Sequence, residues 1–175
     1  MDKKIDILRD ISAEVLGHHA KLNRVDWSEI AAKTECRDFI CATIPMAGEK
    51  LELTFNTYFR FNEAKSFVES RHDKDFINSD FIVDFFREYC NLIYGEYKRT
   101  FDDIGHPLDQ TLPESFIEEN FQFSRDDNES SHREEYWELV SDKGRIYVGI
   151  EFDFDTKEGI AQLAKPKKEM EIEFL

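Results

Sequence analysis

The chain has few of the residues that staple a fold, hold a metal or anchor a protein in a membrane. Among 175 residues there are three cysteines, four prolines, seven glycines and two tryptophans. Cys36, Cys41 and Cys90 are odd in number and form no CxxC pair, so neither a disulfide framework nor a zinc site is expected. His18, His19, His72, His106 and His132 are scattered, and the adjacent pair would point ~100° apart on a helix, too far to clamp one ion. Positive charge is scarce: Lys plus Arg total 23 against 38 for Asp plus Glu, a net charge of −15. That balance argues against a nucleic-acid backbone or an anionic membrane as partner. No run approaches the ~18 apolar residues of a membrane span, and Met1-Asp2-Lys3-Lys4 leads into no signal-peptide core. The expected compartment is the reducing cytoplasm. GxGxxG, GxxxxGK[ST], GxSxG and HExxH are all absent, which removes the common nucleotide, hydrolase and zinc-protease signatures.

Core-forming residues are plentiful. Apolar residues make up 41% of the chain and 16 residues are phenylalanine, too rich for disorder. The length suits one domain with a core that needs no cross-links. Ile5, Leu8, Ile11, Val15 and Leu22 recur at helical spacing and predict a helix over about residues 3–22. A polar stretch follows, with Trp27 as its apolar anchor. Residues 36–46 read as a strand and Met46-Ala47-Gly48-Glu49 as a turn. The next strand alternates, with Leu51, Leu53, Phe55, Thr57, Phe59 and Phe61 on one face and Glu52, Thr54, Asn56, Tyr58, Arg60 and Asn62 on the other. This parity predicts one face on the core and one in water.

Asn62 is the expected N-cap of a short helix, 63–72, and Asn78-Ser79-Asp80 offer caps for a longer one. The long helix runs to Ile104 and stops at Gly105-His106-Pro107. Strands at about 116–123, 134–141 and 145–154 follow, the last two joined through Asp142-Lys143-Gly144. Strands that come in hairpins between helices, instead of alternating singly with them, predict an α+β domain. The expectation is an antiparallel β-sheet with long amphipathic helices packed on it, over residues 1–155, then a charged C-terminal extension, 156–175.

The long helix carries the most information. At ~100° per residue, Ile82, Phe86, Tyr89, Cys90, Ile93, Tyr97, Phe101 and Ile104 fall within about 60° of one direction, the core face. Asp84, Glu88, Asn91, Gly95, Lys98 and Asp102 occupy the opposite face. Glu88 and Asn91 stand at i and i+3, so their side chains are neighbours. Gly95 lies one turn further on, although a mid-helix glycine costs about 1 kcal/mol against alanine. One reason to keep it is the close approach of another molecule's backbone.

These residues belong to a longer pattern: Asp84, three residues, Glu88, two residues, Asn91, twenty-one residues, Pro113. The spacing resembles the signature of the CheC/CheX/FliY family of bacterial chemotaxis phosphatases. Residues 88–95 look like the family's E-x-x-N-x-x-x-G helix, Leu112-Pro113 looks like its Leu-Pro before the following strand, and the resemblance covers roughly residues 5–155. The chain departs from the pattern where Glu96-Tyr97 follow the helix glycine and Glu114-Ser115 follow Leu-Pro. Asp10-x3-Glu14-x2-Gly17 on the first helix echoes it with glycine in place of asparagine, so the chain looks like the single-site CheX type.

The resemblance implies a phosphatase acting on the aspartyl phosphate of a CheY-type response regulator. Asn91 would orient the attacking water and Glu88 would pair with the receiver's lysine, while Asp84, Gly95 and Pro113 would support the site or meet the partner. It implies no cofactor of the chain's own, since Mg²⁺ belongs to the partner receiver, and it implies a homodimer. The alternative is a non-catalytic adaptor of the same fold that docks a receiver or a flagellar-switch component.

Overall fold

Ten segments build the molecule: α1 (Asp2–His19), β1 (Asp26–Glu29), β2 (Thr34–Ala47), β3 (Glu52–Phe59), α2 (Phe61–Glu69), a 3-10 turn (Lys74–Phe76), α3 (Ser79–Asp102), β4 (Glu114–Phe123), β5 (His132–Ser141) and β6 (Gly144–Asp153). The structure is a computed structural model that describes residues 2–30, 34–49, 51–109, 111–123, 132–153, 156 and 160–163. Side chains are described for these residues except 2–3, 34–38, 118–122 and 132. The six strands form one antiparallel sheet in the order β1-β5-β6-β3-β2-β4. The expected α+β architecture is the observed one.

α3 spans 24 residues because its sequence satisfies both ends. Asn78 caps the start, its Oδ1 accepting from the Phe81 backbone N–H at 2.9 Å. At the other end Gly105 takes φ +80°, a conformation that favours glycine, and turns the chain away. Between them Ile82, Phe86, Tyr89, Cys90, Ile93, Tyr97 and Phe101 are fully buried. They pack with α1, α2 and one face of the sheet into the main core, which includes Leu53, Phe55, Phe59, Trp137, Val148 and Ile150.

Four expectations need correction. The even residues of β3 do not all face water, since Asn56 and Tyr58 are each only 3% exposed. β3 is a central strand, and its second face carries a smaller aromatic cluster of Phe39, Cys41, Tyr58 and Phe123, while Asn56 Nδ2 donates to Glu151 Oε1 at 2.6 Å. Asn62 is not the cap of α2: the helix begins at Phe61, directly after the strand, with Arg60 in the cap position and no side-chain cap bond. The polar stretch around Trp27 contains a sixth strand, β1, whose four residues pair with the sequence-distant β5. Finally, the division at 155 moves outward. Thr156 Oγ1 accepts from the Glu52 N–H and donates to the Glu52 carbonyl, and Ile160 and Leu163 sit fully buried in the main core. Residues 164–175 of the expected extension, together with Phe154, lie outside the described residues.

Candidate functional site

The polar face of α3 stands away from the sheet. Asp84 and Glu88 are exposed, and Asn91 is half-buried. Asn91 Nδ2 donates to Glu88 Oε2 at 3.1 Å. That bond fixes the carboxamide and leaves Oδ1 with no partner among the described residues, so it is able to accept a hydrogen bond from water or a ligand. One turn on, a β-carbon built at Gly95 would meet nothing within 4 Å. The chain's own packing therefore does not require glycine there.

Asp84 and Pro113 meet through a residue that the spacing pattern passes over. Arg87 Nη1 lies 3.5 Å from Asp84 Oδ1, and its Nη2 donates to the Pro113 carbonyl at 3.2 Å. The pair with Asp84 is solvent-exposed and contributes little on its own. Together the two contacts join α3 to the head of β4. Pro113 itself is buried and delivers the chain into β4 at Glu114. An arginine three residues after an aspartate on a helix was a readable sign of the pair with Asp84, but not of the contact with the strand.

The neighbouring thiol takes no part. Cys90 is fully buried between Thr57 and the Ala42 carbonyl, and burial pushes its pKa up to about 12, so it stays protonated and unreactive. Among the described residues no group of three or more His, Cys, Asp or Glu is arranged to hold a metal ion, and no helix is long and apolar enough to cross a membrane.

The sheet order reads the same backwards when β1, β2 and β3 are exchanged for β4, β5 and β6, which makes α1 the positional counterpart of α3. The echo on α1 borders a cleft of about 480 Å³. Its groups are already engaged: Asp10 accepts from Trp27 Nε1 at 2.8 Å, Glu14 lies 3.9 Å from His18, and Gly17 packs beneath Val25. No carboxamide takes the place that Asn91 has on α3.

This arrangement of sheet and helices is a CheC-like fold. Several solved chemotaxis proteins share it. CheX from Vibrio vulnificus superimposes with a TM-score of 0.66 at 17% identity, covering 86% of this chain and 99% of that one. CheX in a CheX–CheY–BeF₃–Mg²⁺ complex from Borrelia burgdorferi gives 0.61 at 16% identity, covering 85% and 97%. FliY from Thermotoga maritima gives 0.58 at 11% identity, covering 93% and 96%. No protein-family model and no curated protein matches the chain. The likeness is one of fold.

Proposed function

We propose that this chain is a cytoplasmic, CheX-like phosphatase that removes the phosphoryl group from the aspartate of a CheY-type response regulator. The observation that carries the reading is the hydrogen-bonded Glu88–Asn91 pair on the outward face of α3, within a fold shared with a CheX crystallised together with CheY, BeF₃ and Mg²⁺. In an acyl phosphate the receiver and its own Mg²⁺ supply most of the charge stabilisation, and the remaining task is to hold a water in line with phosphorus. Asn91 enters the receiver's acidic pocket, and its Oδ1 accepts a hydrogen bond from that water. A neutral amide does this without repelling the phosphoryl oxygens. Glu88 pairs with the receiver's lysine and anchors the helix. Water then attacks phosphorus, the bond between phosphorus and the aspartyl oxygen breaks, and orthophosphate and free carboxylate leave. Among the described residues β4 is an edge strand of the sheet, which suits a homodimer, since exposed edges need covering.

The test is the lifetime of a phosphorylated receiver with and without the protein, and with Asn91→Ala. Loss of one positioned hydrogen-bonding group is expected to lower turnover on the order of a hundredfold. A wild type that binds receivers but leaves their phosphate lifetime unchanged would support the adaptor reading instead.

A further inference from the structure

The segment from Leu108 to Pro113 is clamped along the flank of α3 at both ends. The Leu108 carbonyl accepts from Tyr94 Oη at 3.2 Å and from Lys98 Nζ at 2.7 Å, and the Pro113 carbonyl accepts from Arg87 Nη2 at 3.2 Å. Tyr94 and Lys98 each lie about 20° from Arg87 around the helix, one on either side, and Asn91 stands about 40° from Arg87, on the side toward Glu88. The segment therefore runs past Asn91 as a wall of the candidate site. Its other side is held to β2, where the Asp109 N–H donates to the Ala47 carbonyl at 2.6 Å and Thr111 Oγ1 donates to the Pro45 carbonyl. Yet Leu112, directly before the Pro113 end of this wall, is 79% exposed. The backbone is fixed on two sides, and it holds this leucine out in water on the flank of α3 that carries the polar site.

We infer that Leu112 is a docking residue: it seats in an apolar depression on the phosphorylated receiver, at the rim of the pocket that Asn91 enters. Arg87 is its positioning residue, because it fixes the Pro113 end of the wall against α3. This rests on the reading above. The occupant is the receiver because whatever approaches Asn91 closely enough to hydrogen-bond must also cover the wall beside it. Burying a leucine side chain is worth roughly ten- to a hundredfold in affinity. Asp84 then acts through Arg87, by holding the guanidinium in place.

The experiment compares Kd for the receiver loaded with BeF₃ and Mg²⁺ against steady-state dephosphorylation. Leu112→Ser is expected to raise Kd and KM about tenfold with kcat unchanged, whereas Asn91→Ala lowers kcat and leaves Kd alone. Arg87→Ala is expected to raise Kd likewise, and Arg87→Lys, which keeps a donor for the Pro113 carbonyl, to recover part of the loss. Phe76→Ser serves as the control: it removes another exposed apolar side chain, 73% accessible, from the turn before α3 and is expected to change neither constant. Unchanged Kd and KM for Leu112→Ser in an active protein overturn this inference and leave the phosphatase reading standing. A wild type that binds the receiver without hydrolysing it overturns the phosphatase reading, while Kd still decides Leu112. A wild type that binds no receiver overturns both.

Discussion

Gly95 sits in the interior of α3, one turn beyond Asn91, with open space where a β-carbon would stand. If folding alone governed that position, alanine would be better by about 1 kcal/mol, because it restricts the unfolded chain and favours helix. For a domain of this size that gain raises Tm by roughly 2–4 °C. A receiver backbone packed against the bare helix would meet the new methyl group, and overpacking of that kind costs about 1–3 kcal/mol. The corresponding loss of affinity is roughly 5- to 150-fold. Gly95→Ala is thus expected to melt later and to bind the BeF₃-loaded receiver more weakly, two changes of opposite sign from one methyl. Thermal melting and a binding titration on the same preparation measure both. Binding and turnover at wild-type levels would refute the close approach at this turn, and a lower Tm would refute the claim that the helix face is open.

Two further outcomes concern stability. His19 is buried, its Nε2 2.9 Å from the Phe85 carbonyl and its Nδ1 3.2 Å from Arg71, and burial, with the nearby Arg71 and His72 charges adding to it, lowers its pKa from 6.5 to about 4. The unfolded chain takes up that proton first, so the contribution is complete above pH 6.5 and is lost as pH falls toward 4, by up to about 3 kcal/mol. Denaturant melts at pH 7 and pH 5 should show wild type losing more stability than His19→Gln, and equal losses would contradict the burial argument. Leu163→Ala is expected to cost about 2–5 kcal/mol, the range for a buried leucine, and a neutral result by denaturant melting would return residues 160–163 to the status of an appendage.

Strong periodicity made the fold readable. The buried stripe of α3 and the odd residues of β3 repeat long enough for one face to announce itself, and Asn78 and Gly105 mark the helix ends chemically. β1 was hidden because four residues with a half-exposed pattern carry no alternation. The burial of Asn56 and Tyr58 depends on which strands lie either side of β3, and one strand's parity holds no record of that. Ile160 and Leu163 were masked by the charged residues around them. At the site, Glu88 and Asn91 were legible because their contact is local, three residues along one helix. The link from Arg87 to Pro113 spans 26 positions in sequence and exists only once the 108–113 segment folds back along α3.

The most direct measurement is the decay of phosphate on a CheY-type receiver at fixed Mg²⁺, followed with wild type and with Asn91→Ala at matched concentration. The account requires faster decay with wild type and a return to nearly the spontaneous rate with the variant, while both bind the receiver equally. An Asn91→Ala protein that accelerates decay as well as wild type would contradict it.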